Sequence, residues 1–160
     1  MSQHLIDGSL GFLLNKGTQA FHREINRNFR RNKMDITFEQ WSVMIYLFHC
    51  DGRSQNEIAL KTFKDKVSVT KIVDNLVKRN LVLRNPDKND RRVNRIYLTE
   101  DGAKIVPKLR KIALATLSEA FSGIEEEEIE NFKKTISTVV ENLTGDDLLN
   151  FIKNNKGRWK

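Results

Sequence analysis

Apolar residues recur at helical spacing along most of this chain, and polar or turn-forming residues break the pattern into separate elements. Leu10, Leu14, Phe21, Ile25 and Phe29 form the first stripe, with Leu13 and Ala20 beside it and Arg23, Arg27, Arg30 and Arg31 opposite. This predicts an amphipathic helix of roughly 25 residues, about 37 Å long, too long for a small domain to cover by itself. Thr37 followed by Gln40 reads as a capping box opening a helix through Trp41, Met44, Ile45 and Phe48, ended by Gly52. Ser54 with Glu57 is a second capping box, opening a short helix through Ile58, Ala59 and Leu60. After a tight turn at residues 62–64, a helix from about Asp65 to Arg79 has Val69, Ile72, Val73, Leu76 and Val77 as its inner face. Asn80 follows, where a residue of positive φ is wanted and Asn tolerates it.

The pattern then changes period. Val82-Leu83 and Ile96-Tyr97-Leu98 are short apolar runs around a polar tip containing Asn85-Pro86 and Lys88-Asn89-Asp90, which predicts a β-hairpin with a long loop. Ile96 and Leu98 alternate with Arg95 and Tyr97, giving one buried and one wet face. Thr99 is placed to cap a helix running to about Phe121, with Ile105, Leu109, Ile112 and Leu117 inward and Pro107 bending it or marking its first turns. Ser122 with Glu125 reads as another capping box, before a helix using Ile129, Phe132, Ile136, Val139, Val140 and Leu143. Thr144 is placed to start a short extra helix through Leu148, Phe151 and Ile152, and residues 154–160 read as a frayed end.

Charge sharpens this outline. The whole chain carries +7, and the stretch from Lys61 to Arg95 holds eleven Lys and Arg against four Asp, which accounts for all of it. A helix followed by an arginine-rich β-wing, under a concentrated positive charge, is the layout of a winged helix-turn-helix that attracts a polyanion by counterion release. No apolar run reaches the ~20 residues of a membrane span. No basic-apolar-small leader opens the chain, and one cysteine forms no internal disulfide, so a cytoplasmic protein is expected. No repeat or low-complexity segment stands out beyond Glu125–Glu128, which compensates a helix dipole more readily than it holds a metal.

The expected fold class is mainly α with a small β-wing: a winged helix-turn-helix core flanked by N- and C-terminal dimerisation helices. Residues 1–35 are read as an N-terminal dimerisation helix, 36–99 as the DNA-binding domain, and 100–160 as C-terminal dimerisation helices and tail. The outer helices come from both ends of the chain and pair most simply around a two-fold axis.

Several blocks together resemble the MarR family of regulators, over about Ser9 to Leu143. They are Ser9-Leu-Gly-Phe-Leu-Leu, Ile36-Thr-Phe-Glu-Gln-Trp41, Ser54-Gln55 with Glu57-Ile58-Ala59, and Val69-Thr70-Lys71-Ile72-Val73-Asp74-Asn75-Leu76. The last and most specific is Pro86-Asp87-Lys88-Asn89-Asp90-Arg91-Arg92 closed by Leu98-Thr99-Glu100-Asp101-Gly102. The resemblance implies a bacterial homodimer with recognition helices in successive major grooves and wings over minor grooves. It also implies transcriptional control, usually repression relieved by a small molecule or by cysteine oxidation. Asn80 stands where that family usually has glycine, and the first helix lacks the reactive cysteine of its peroxide-sensing branch. The His, Cys and Glu cluster of its zinc-sensing branch is not found either.

The candidate DNA contacts are Ser54, Gln55, Lys66, Ser68, Thr70, Lys71, Asn75, Asp90, Arg91 and Arg92. Ser68, Thr70, Lys71 and Asn75 lie off the apolar face of the recognition helix, where hydroxyls and amides touch phosphates or base edges. In the family's wing pattern Arg92 enters the minor groove while Asp90 holds the loop and orients it. The partners expected are a pseudo-palindromic double-stranded operator, a second copy of the chain and a small-molecule effector. No cofactor, metal or catalytic residue is expected. His49 and Cys50, like His22 and Glu24, are too close in sequence to face each other on a helix. Trp41 and Met44 are better read as core than as the lining of a ligand cleft, and Cys50 as structural. The competing reading is a winged-helix protein-interaction module that does not bind DNA, which the basic wing disfavours.

Overall fold

The computed structural model describes residues 9–146 and 150, and these fall into two compact units, Met1–Leu117 and Ser118–Lys160. The first unit contains α1 (Ser9–Arg31), α2 (Phe38–His49), β1 (Arg53–Ser54), α3 (Gln55–Thr62), α4 (Lys66–Lys78), β2 (Val82–Pro86) and β3 (Asn94–Leu98). It also holds most of α5 (Glu100–Ala120). The second unit contains α6 (Glu126–Thr144). No helix among the described residues is long and apolar enough to cross a membrane.

Local capping chemistry fixes where α2, α3 and α4 begin. The Thr37–Gln40 and Ser54–Glu57 boxes both form, and Asp65 caps α4 by accepting from the Ser68 N–H. The chain leaves α4 through Asn80 at φ 55°, the left-handed turn that its side chain suits. Ile25, Phe29, Val43, Met44, Leu47, Ile58, Val69, Val73, Leu76, Ile96 and Leu109 are fully buried and make one core for the first unit. Trp41 packs at the edge of this core against Phe29 and Phe38, so Trp41 and Met44 serve packing.

The sheet has three strands in the order β1-β3-β2, all antiparallel. The short β1, absent from the sequence reading, pairs Arg53 with Ile96 and Ser54 with Arg95. It also corrects the expected wet face of the hairpin. Arg95 and Tyr97 are half-buried, because the segment entering β1 lies over them. Gly52, at φ +71°, takes a turn so close to Tyr97 that a Cβ there would lie 2.8 Å from Cε1 of the ring. Gly52 thus serves this turn, while Cys50 is the cap that ends α2.

The Leu98-Thr99-x-x-Gly102 segment has a physical explanation. The Thr99 hydroxyl donates to the Asn80 carbonyl at 2.7 Å and accepts from the Gly102 N–H at 3.0 Å. Gly102 packs so tightly that a Cβ would meet the Leu81 carbonyl oxygen at 2.0 Å. One threonine and one glycine therefore lock the exit of α4 to the start of α5. This contact also sets the rotation of α5. Its buried stripe is Gly102, Val106, Leu109, Ala113 and Thr116; of the expected residues Leu109 is buried, Ile105 and Ile112 are half-buried and Leu117 is exposed. Pro107 sits inside the helix on its exposed side.

In the second unit, the expected cap at Ser122 is corrected to Glu125. Ser122 and Gly123 (φ +80°) belong to the turn, and the Glu125 N–H donates to Glu128 Oε2 at 3.3 Å. Phe121 and Phe132 pack ring against ring at 6.2 Å. The helix ends at Thr144 with Gly145 at φ 74°, which displaces the expected start of a further helix at Thr144. The remainder of that expected helix and of the frayed end falls largely outside the described residues.

Candidate nucleic-acid interface

α3 and α4 form the helix-turn-helix, and the turn between them passes through Phe63 at φ 52°. Their juxtaposition is held partly by polar contacts involving the candidate residues themselves. Gln55 Nε2 donates to Thr70 Oγ1 at 3.1 Å, and that hydroxyl donates to the Lys66 carbonyl at 2.9 Å. Ser68 is engaged in the cap, its hydroxyl donating to Asp65 Oδ2 at 2.6 Å. Asn75 Oδ1 accepts from Gln40 Nε2 of α2 at 2.7 Å. Ser54 is the cap of α3 and donates to Glu57 Oε2 at 2.8 Å. Lys66, Thr70, Lys71 and Asn75 are exposed on α4. The structure thus gathers Gln55, Lys66, Thr70, Lys71 and Asn75 on or beside one helix. It leaves Ser54 as the cap of α3 and Ser68 as the partner of Asp65, the cap of α4.

The wing tip is built by two aspartates with different roles. Asp87 Oδ1 accepts from the backbone N–H groups of Asn89 and Asp90, at 2.8 and 3.1 Å, which folds the tip. Asp90 accepts from Arg92 three times: from its backbone N–H at 3.0 Å, Nε at 3.1 Å and Nη2 at 3.2 Å. This two-pronged clamp holds the guanidinium in one orientation while its side chain stays 91% exposed. Arg91 beside it is exposed as well. An outward-held, planar cation at the end of a two-stranded ribbon suits a narrow anionic groove.

The base of the wing carries a network that the sequence reading missed. Arg95 pairs with Asp87 at 2.6 Å and with Glu57 at 3.1 Å, and Glu57 also pairs with Arg53 at 3.0 Å. It ties the wing to α3 and β1, so the wing and the helix-turn-helix are positioned together. A second tie, Arg84 of β2 to Asp74 of α4 at 2.6 Å, fixes the wing to the recognition helix itself.

These contacts perturb both carboxylates. The Ser54 backbone N–H holds Glu57 down to about 2, against desolvation, with the Ser54 hydroxyl and Arg53 adding to it. The Arg95 guanidinium, then the Asn89 and Asp90 N–H groups, hold Asp87 down to about 2. A depressed folded-state pKa gives stability that is complete above the unfolded value and lost as pH falls through the folded one. The thermal midpoint should therefore be flat above about pH 5 and fall between there and pH 2, beyond what unperturbed carboxylates produce. Asp87→Asn should lower the neutral-pH plateau and make the acid limb shallower. Parallel acid limbs for the variant and the parent would remove Asp87 from the account. The measurement is differential scanning calorimetry across that range.

No group of three or more His, Cys, Asp or Glu among the described residues is arranged to hold a metal ion. Cys50 is a half-buried free thiol at the end of α2.

Known proteins place this geometry. The family described as transcriptional regulator SarA/Rot matches residues 28–109, slightly more than half of the chain and the whole of the helix-turn-helix and wing. The HTH-type transcriptional regulator MhqR of Bacillus subtilis is 25% identical over 121 residues, 76% of this chain and 82% of the relative. The Staphylococcus aureus MepR–DNA complex superposes with a TM-score of 0.77 at 26% identity, covering 85% of this chain and 99% of that one. A MarR mutant from Escherichia coli bound to operator DNA shares the fold, with a TM-score of 0.78 at 22% identity over 88% of this chain and 99% of that one. The chain belongs to the SarA/Rot transcriptional regulators and is a winged-helix protein of the MarR family, a DNA-binding regulator and not an enzyme.

Proposed function

We propose that this protein works as a cytoplasmic homodimer that binds a pseudo-palindromic operator, represses transcription there and is released by a small-molecule effector. The observation that carries the DNA-binding part is the Asp90–Arg92 clamp at the wing tip, tied back through Arg95 and Arg84 to α3 and α4. A folded domain has no need of an exposed arginine oriented outward by a neighbouring aspartate, whereas an anionic groove does.

In this reading α4 enters the major groove and the wing reaches the adjacent minor groove. Lys66, Lys71 and Arg91 neutralise phosphates, and Gln55, Thr70 and Asn75 lie closest to base edges. Ser54 acts through the helix that it caps, and Ser68 by holding Asp65, the cap of α4. Dimerisation is supported by apolar side chains that the single chain leaves uncovered. On α1 these are Leu10, Phe12 and Leu13, between 44 and 63% exposed, and on α6 Phe132 and Leu143, 48 and 80% exposed. Repression and effector release follow from the family resemblance.

A two-fold dimer presents two recognition helices on one face, so the half-site centres should lie about 34 Å, one helical turn, apart. Footprinting on the DNA upstream of the protein's own gene tests this. The expected result is two protected half-sites, with binding lost when about half a turn of DNA is inserted between them. A single unsymmetrical footprint indifferent to spacing would overturn the dimeric reading.

A further inference from the structure

Several polar groups of α4 are engaged within the protein. The Ser68 hydroxyl donates to Asp65, Asp74 is paired with Arg84, and Asn75 Oδ1 is taken by Gln40. The Thr70 hydroxyl both donates to the Lys66 carbonyl and accepts from Gln55, which leaves one oxygen lone pair and the methyl group unengaged. Val67, one turn before Lys71, is 64% exposed. Valine is a poor helix former and gains nothing from water at this position. It caps nothing, and the buried face of this helix is made by Val69, Val73 and Leu76. It lies in the first turn of α4, and the N-terminal residues of a recognition helix are the ones that reach base edges. Lys66 beside it and Lys71 one turn on place cations for the flanking phosphates.

The major groove offers one apolar feature, the C5-methyl group of thymine. We propose that Val67 is a specificity residue that reads a thymine methyl. The recognition helix then adds a methyl contact to the hydrogen bonds that Gln55, Thr70 and Asn75 make at base edges. The inference rests on α4 being the DNA-reading helix. It adds which base is read and by which side chain.

The test separates the two levels. A duplex is enriched by the protein from a random pool, and each of its thymines is replaced in turn by deoxyuridine, which removes only the methyl group. At one position in each half-site, the wild-type protein should bind the deoxyuridine duplex about four-fold more weakly, the equivalent of one methyl-sized group left unburied. Val67→Ala should bind the thymine and deoxyuridine duplexes alike at that position. Its affinity for scrambled DNA should be unchanged, because the site is exposed and uncharged. If no thymine is sensitive, or if Val67→Ala still discriminates by the same factor, Val67 does not read a methyl, while the DNA-binding reading stands. If no duplex is enriched at all, the assignment of α4 as a sequence-reading helix fails and the inference falls with it.

Discussion

Replacing Arg92 by alanine is expected to weaken binding to the operator and to scrambled duplexes alike, by about tenfold or more, since charge-assisted hydrogen bonds are worth roughly 1.5–3 kcal/mol each. The slope of log affinity against log salt should shallow by about 0.9 for each phosphate that the variant no longer neutralises. The reason lies in the clamp: Asp90 fixes the guanidinium outward, so the cation meets DNA already oriented and little side-chain freedom is lost on binding. Asp90→Asn should keep the guanidinium charge but loosen the clamp, giving a smaller loss of affinity with an unchanged slope. Thr70→Ala and Asn75→Ala form the contrasting set. They carry no charge, so any effect should appear as altered base preference with the salt slope intact. Fluorescence anisotropy at several salt concentrations, on operator and scrambled DNA, measures all of these. If Arg92→Ala changes neither affinity nor slope, the wing does not engage DNA.

Features set by a few neighbouring residues are the legible ones. The capping boxes at Thr37 and Ser54 and the positive φ of Asn80 depend on chemistry within four residues, and the structure contains all three. The hairpin is legible because turn residues separate two apolar runs. Features set by distant partners are not. β1 is two residues long, too short for any alternation, and exists because Gly52 and Arg53 meet β3. The rotation of α5 depends on Gly102 touching Leu81, so a periodicity that accepts Ile105 and Leu117 misses the true stripe. At Ser122 the pattern of a hydroxyl three residues before a glutamate is present. However, Gly123 in its left-handed conformation places the helix start further on.

The candidate interface divides in the same way. Its location follows from charge and from the order of helix and hairpin. Which side chains are engaged does not, because Gln40 meets Asn75 across 35 positions and Glu57 meets Arg95 across 38. The engaged groups change the chemistry expected of α4. The polar residues that a sequence pattern nominates are partly held by the protein, and an apolar residue that it passes over, Val67, projects.

The largest effect is expected from the uncovered apolar side chains. Leu13 and Leu143 are 63 and 80% exposed in the single chain, so Leu13→Asp with Leu143→Asp should leave the fold of an isolated chain intact. In a dimer that buries them, each aspartate would be taken out of water without a partner, a cost that a dimer interface does not offset. The double variant should therefore remain folded by circular dichroism, lose the dimer in light scattering and fall to non-specific affinity for operator DNA. The drop is expected to be on the order of a thousandfold or more, the usual gap between specific and non-specific binding, because one protomer reads only one half-site. Affinity for scrambled DNA should change far less, since Arg92 and the lysines of α4 are untouched. A wild-type protein that is monomeric at micromolar concentration would remove the premise. A double variant that stays dimeric with full operator affinity would place the interface elsewhere on the chain.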